Sequence, residues 1–174
     1  MELVDLYDEN RQPLGRTAER YAHRLPGEYR LVIHVCVFNH AGQLLIQKRV
    51  PEKKMWPGYW DVSVGGGVDA GETSRQAAER EFREELGYSL DLSGLRPVAT
   101  VNFQGGFDDF FVKVQDIDLQ ALTLQKEEVA DVRWASLEEA EAMVDAETFI
   151  AYPKSFLRFL YDMRDTFGFP TRYN

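Results

Sequence analysis

The stretch Gly66-Gly67-Val68-Asp69-Ala70-Gly71-Glu72, followed after seven intervening residues by Arg80-Glu81-Phe82-Arg83-Glu84-Glu85-Leu86-Gly87-Tyr88, joins a glycine-rich strand end to a charged helix. The spacing predicts that helix over about 73–86. Thr73 or Ser74 can cap its orphan N–H groups, and Gly87 suits the left-handed residue just past its end. At about 100° per residue, Glu81, Glu84 and Glu85 fall within an arc of about 100°, with the small Ala77 one turn earlier on the same face. Like charges at these spacings cost roughly 0.2–0.5 kcal/mol per pair. Two things can offset that repulsion. Arg75, Arg80 and Arg83 can neutralise a solvated acidic face, or a divalent cation can bind, because hard ions such as Mg²⁺ prefer carboxylate oxygens. No Cys/His cluster with zinc spacing competes for the metal role.

Upstream, residues 2–7 alternate as a short strand closed by Asp8-Glu9-Asn10, and 17–24 are expected to form a short helix. Val, Ile and Phe dominate 30–38, which reads as a strand. Asn39 to Gly42 reads as a hairpin turn, with Gln43 to Lys48 as the partner strand. His34 and His40 read as a strand-packing residue and a turn residue. Arg49 to Tyr59 is irregular, because Pro51 and Pro57-Gly58 break both helix and strand. Trp60 to Val64 is a short strand running into the glycines. Downstream, strands are expected at 95–103 and 107–115 around Gln104-Gly105-Gly106, then near 130–135, with helices at about 136–144 and 153–167. Pro153 is allowed in the first turn of the last helix, where Phe156, Leu157, Leu160 and Tyr161 form one buried stripe. Gly168 to Asn174 is expected to fray. This order of elements predicts a mixed sheet covered on both faces.

The whole fits one domain, 1–174, with 1–29 as an N-terminal strand and helix extension. Hydrophobic residues at 44% and charged residues at 28% exclude wholesale disorder. A net charge of −9 argues against duplex nucleic acid as a partner, which needs a basic face. Cys36 is the single cysteine and reads as a small core residue. Met1 to Asp5 is acidic and unlike a signal peptide, and no run approaches the ~18 apolar residues of a membrane span. A cytoplasmic protein with no membrane partner is therefore expected; its oligomeric state is left open.

Gly66, Glu72, Arg80, Glu81, Glu84, Glu85 and Gly87 stand at fixed spacings. With usage near 7% per type, a chance match at a given start is on the order of 10⁻⁸. The stretch resembles the Nudix box, Gly-x5-Glu-x7-Arg-Glu-U-x-Glu-Glu-x-Gly-U, where U is a bulky aliphatic residue. Phe82 and Tyr88 depart mildly, being aromatic. The resemblance implies the α/β class, a Nudix-type α/β/α sandwich with a mixed β-sheet. It implies hydrolysis of a diphosphate linkage in a nucleoside diphosphate-X or related small molecule. By position it implies a catalytic set of Glu72, Arg80, Glu81, Glu84 and Glu85. Glu81, Glu84, Glu85 and the Gly66 carbonyl would bind Mg²⁺ (or Mn²⁺), and a Glu72–Arg80 pair would hold the loop against the helix. The metal would neutralise phosphate charge and activate a water for attack on phosphorus. Gly65 to Ala70 also fits the loose fingerprint G-x-G-x-x-A of dinucleotide folds, but the upstream 60 residues lack the parallel βαβ pattern those folds need.

Leu44 to Arg49 and Lys53 to Trp60 resemble type 1 isopentenyl-diphosphate isomerase, which shares the fold, and isomerase-like Nudix hydrolases. Carried over, Arg49 and Lys53 would hold the substrate diphosphate. With Lys48 and Lys54 they form either a positive patch that draws in an anion or a solvated charge run. The same alignment puts Gly65 and Gly67 where the isomerase needs a cysteine and a histidine, and Glu81 is intact where the isomerase has a replacement. The resemblance therefore favours the hydrolase, with the isomerase and a catalytically silent diphosphate-binding module as alternatives. Glu127, Glu128, Asp108 and Asp109 are either surface charges or sources of a general base. Trp56, Tyr59 and Trp60 either stack on the substrate or pin their loop to the core.

Overall fold

The computed structural model describes residues 2–166. The chain runs β1 (Leu3–Tyr7), β2 (Pro13–Glu19), β3 (Arg30–Phe38), β4 (Leu44–Arg49), β5 (Trp60–Asp61), β6 (Val64–Gly67), α1 (Ser74–Leu86), β7 (Ala99–Phe103), β8 (Gly106–Val114), β9 (Val129–Ala135), α2 (Leu137–Asp145) and α3 (Lys154–Met163). β3 is apolar on alternate positions of both faces and becomes the axis of a seven-stranded mixed sheet. It runs parallel to β8 along its whole length and antiparallel to β6. It meets β4 only at Phe38 and Leu44, after which β4 turns away to pair with β5 and β9. The expected hairpin is present but opens after its first pair.

Period-2 alternation sends β3 to two cores. Leu31, Ile33, Val35 and Val37 pack with Ala77, Ala78, Phe82 and Leu86 of α1. Cys36 and Phe38 pack on the other face with Ala140 of α2 and Leu157, Leu160 and Tyr161 of α3. This is the expected α/β/α sandwich. The aromatic departures in the box are absorbed here: Phe82 is fully buried and meets Tyr88 edge-on at 6.2 Å. Burial also pushes the Cys36 thiol well up, as befits a core residue. A Thr73–Gln76 capping box starts α1, and Gly87 ends it at φ 65°.

Three expectations change. Residues 17–24 do not form a helix: 13–19 are β2, antiparallel to β1, because a strand partner in register (Val4 with Ala18) outweighs the local helix preference of Ala18 and Glu19. The single strand expected at 60–64 is two, since Ser63 bridges the gap where β3 and β4 separate, accepting from Val37 N at 2.9 Å and donating to Leu45 O at 2.6 Å. The last helix is shorter than expected, 154–163. The expectation for 168–174 lies outside the described residues. The N-terminal hairpin packs on its own domain: Ala70 N donates to Leu3 O at 2.8 Å, Gly71 N to Asp5 at 2.8 Å, and Tyr7 and Tyr29 exchange backbone hydrogen bonds at 2.9 Å.

Candidate active site

β6 delivers Gly66 beneath α1, and the contact explains the glycine. A Cβ at residue 66 would lie 2.3 Å from the carboxyl carbon of Glu81, so the carboxylate occupies the space a side chain would fill. Arg80 locks the assembly. Its Nε and Nη2 donate to both oxygens of Glu72 at 2.9 and 3.0 Å, and Nη2 also reaches the Gly67 carbonyl at 3.0 Å. Nη1 lies 3.0 Å from Glu81 and 3.2 Å from Glu84. The Glu72–Arg80 pairing is as the resemblance implies, and Arg80 also bridges two further acids.

The three glutamates of the ridge differ in surroundings. Glu81 and Glu85 are 8% and 6% exposed, whereas the Glu84 side chain is 49% exposed at the rim. Burial raises Glu81 despite Arg80 beside it. Burial pushes Glu85 up to about 7, opposed by the Gln47 amide and reinforced by the Glu81 charge. Gln47 Nε2 donates to Glu85 at 3.0 Å, while Gln47 Oε1 is buried with no partner. Among the described residues, no three acidic, histidine or cysteine side chains converge closely enough to cage an ion. Arg80, the nearest cation, stands between Glu81 and Glu84 instead. The donor set nevertheless fits a hard divalent cation: buried carboxylates lacking full charge compensation, beside a buried amide oxygen that accepts nothing.

Gly66, Arg80 and the three glutamates line a cleft of about 1080 Å³ that Arg49 and Lys53 also line. Arg49 donates to the Met55 carbonyl at 3.2 Å and lies 3.8 Å from Asp61, and Lys53 is paired with Glu128. Burial and the neighbouring Arg49 charge lower the Lys53 pKa. Lys54 is exposed outside the cleft lining, as is Glu127. Of the acids weighed outside the box, Asp108 and Glu128 line the cleft. Asp109 is fully buried and bound by Arg11 and Thr100, so it is neither surface charge nor within reach of substrate. Trp56 and Tyr59 meet at 5.2 Å, with Trp56 at the cleft, while Trp60 packs on the core under Arg133.

Sequence reasoning missed several cleft residues. His34 does pack in the strand, stacked on Phe110 at 4.8 Å, but it also faces the cleft and bonds Asp108 through Nδ1 at 2.8 Å. Asp108 raises the His34 pKa against the opposing effect of burial. Asp61 accepts from the Tyr152 hydroxyl at 2.9 Å. Arg20 and Arg30 add positive charge from the N-terminal segment and the start of β3. Positions 65 and 67 are crowded: a Cβ at 65 would lie 2.7 Å from the His34 ring, and one at 67 would lie 2.9 Å from Arg20 Nε. Where the isomerase resemblance would place a cysteine and a histidine, other side chains already stand.

Buried carboxylates thus face a cleft that mixes acidic side chains with Arg20, Arg30, Arg49, Lys53 and Arg80, on a mixed-sheet sandwich. The family model of the NUDIX domain matches residues 28–157, and the chain belongs to the Nudix family. It is a hydrolase acting on a diphosphate-containing substrate. An uncharacterised Nudix hydrolase of Listeria monocytogenes is 51% identical over 165 residues, covering 95% of this chain and 96% of its own. An isopentenyl-diphosphate Delta-isomerase of Klebsiella pneumoniae is 41% identical over 97 residues, covering 56% of this chain and 52% of its own. The crystal structure of DR0079 from Deinococcus radiodurans superposes with a TM-score of 0.73 at 27% identity, covering 95% of this chain and 100% of that one. Among the described residues no helix is long and apolar enough to cross a membrane.

Proposed function

We propose that this chain hydrolyses a diphosphate linkage in a nucleoside diphosphate-X or related small molecule, by attack of water at phosphorus, with Mg²⁺ or Mn²⁺ held by Glu81, Glu84, Glu85 and the Gly66 carbonyl. The observation that carries the reading is the pair Glu81 and Glu85, buried and raised in pKa in a cleft that Arg49 and Lys53 also line. When bound, the ion supplies charge neutralisation and a more acidic water. Arg49 and Lys53 bind the diphosphate oxygens, with Lys53 exchanging Glu128 for the substrate. Arg80 fixes the loop through Glu72 and Gly67 and keeps Glu81 against Gly66. Gln47 orients Glu85. Each is a positioning contact in the sense that geometry, once set, lowers the barrier.

The test is Mg²⁺-dependent product release from a panel of nucleoside diphosphate-X compounds. Glu84→Gln and Glu85→Gln should each lose more than about 100-fold in activity with an unchanged circular dichroism spectrum. Full activity in either variant would falsify the reading. The isomerase alternative is disfavoured by Gly65 and Gly67, and conversion of isopentenyl diphosphate to dimethylallyl diphosphate would reinstate it. Tight nucleotide binding without turnover across several metals would favour a silent binding module.

A further inference from the structure

α3 covers one end of its sheet face, and a second cavity of about 410 Å³ lies beside its start, lined by Val101, Asp108, Phe110, Tyr152, Phe156 and Phe159 among others. At roughly 30 Å³ per non-hydrogen atom it holds on the order of a dozen. Its walls are rings. Phe110 and Phe156 meet edge-on at 4.8 Å, and Tyr152 lies 6.3 Å from each. Two of its polar groups already have partners: Asp108 bonds His34 at 2.8 Å, and the Tyr152 hydroxyl bonds Asp61 at 2.9 Å. A sugar hydroxyl entering would give up hydrogen bonds to water and find few in exchange. A hydrocarbon would gain about three- to fourfold in affinity per buried methylene.

Asp108 and Tyr152 line both this chamber and the active-site cleft, so the two adjoin. Tyr152 is the shared wall, its hydroxyl turned to Asp61 in the cleft and its ring to the chamber. We infer that the chamber is the subsite for the group X and takes a hydrocarbon, aliphatic or aryl, so that the preferred substrate is the diphosphate ester of an apolar alcohol. The inference rests on the diphosphate-hydrolase reading and names its substrate class. Water forms a new bond to the terminal phosphorus and the P–O–P bridge breaks. Orthophosphate and the alkyl monophosphate leave, and the protons of water pass to the products and solvent. The hydrocarbon takes no part in the bond changes and contributes binding alone.

The test uses methyl, isopentyl, octyl and benzyl diphosphate with ADP-ribose as the polar comparison, all with Mg²⁺. The matching alkyl methylenediphosphonates, which cannot be cleaved at the bridge, are titrated by calorimetry. kcat/KM and affinity should rise at least about tenfold from methyl to isopentyl. Phe156→Ala should lower the octyl-to-methyl ratio about tenfold. Val101→Asn should lower it in the same direction, and an unchanged circular dichroism spectrum, expected at this 40% exposed position, separates the effect from loss of fold. A flat series in both measurements, or ADP-ribose outrunning every alkyl ester, overturns the inference while leaving diphosphate hydrolysis standing. Chain-length-dependent binding that the variants weaken, with no cleavage of any compound, upholds the subsite and removes the hydrolase reading.

Discussion

Burial raises Glu85 to about 7 against the pull of the Gln47 amide, and the Glu81 carboxylate adds to the rise. A glutamate in the unfolded chain titrates near about 4.3. Between those values, in chelator, the folded chain holds a proton that the unfolded chain has released. Stability therefore falls as pH rises from about 4.5 to 7, by up to about 3 kcal/mol, and the loss is complete above that window. Urea midpoints in EDTA at pH 5 and pH 7.5 measure it, and the difference should shrink in Glu85→Gln. Mg²⁺ added at pH 7.5 should raise the midpoint, since an ion that binds the folded, ionised form stabilises it by mass action. A Glu85→Gln variant with the same pH dependence as the parent would show that the titration belongs elsewhere. Glu85 was legible in the sequence because its neighbours stand at fixed spacings. Gln47 was not: its contact with Glu85 joins residues 38 apart in the chain, and a lone glutamine in a strand carries no local signal of that meeting.

At the scale of elements, α1 and the glycine strand before it form one device. The boundaries of α1 were readable from its capping residues, and its acidic ridge from helical periodicity. The reason for Gly66 was not, because spacing says that a glycine stands there and only packing says what fills its missing side chain. Gly66→Ala should displace the Glu81 carboxylate and lower kcat/KM by about 100-fold, the scale expected for a misplacement of about 1 Å. The cost in stability should stay near the 1–3 kcal/mol typical of an overpacked site. Activity assayed against Mg²⁺ concentration, alongside thermal melts, separates the two effects, and near-parental activity would mean that Glu81 can move without consequence. β2 marks the opposite limit. Residues 17–24 carry helix-compatible side chains, yet 17–19 end β2 and the strand state of those three follows from pairing with β1, a contact that local propensity does not encode.

At the scale of the whole molecule, the N-terminal hairpin adds a wall to the cleft, with Glu2, Glu19 and Arg20 in its lining. Arg20 stands over Gly67 and is tied to Glu2 at 2.7 Å, so the segment before β3 supplies cleft charge although it lies outside the matched domain. The sequence marks neither this docking nor the role of Asp109, because both depend on contacts between residues far apart in the chain. Arg11 reaches Asp109 with Nη1 at 2.9 Å and with Nη2, over a separation of 98 residues. Asp109 is fully buried and its remaining side-chain partner among the described residues is Thr100, at 2.6 Å. Removing the guanidinium leaves a buried carboxylate short of a countercharge, which is costlier than losing a surface pair. Arg11 is partly exposed and water can replace some of its contact, so Arg11→Ala should cost about 2 kcal/mol, or roughly 4–8 °C in Tm for a chain of this size. Because the same contact anchors the hairpin, amide exchange at Tyr7 and Arg20 should quicken more than at core positions of β3. KM for a diphosphate substrate should rise as Arg20 loses its fixed place, while kcat changes less. A variant with lowered Tm but parental exchange at Tyr7 and Arg20 and parental KM would reduce Arg11 to a stabilising contact and detach the hairpin from the working of the cleft.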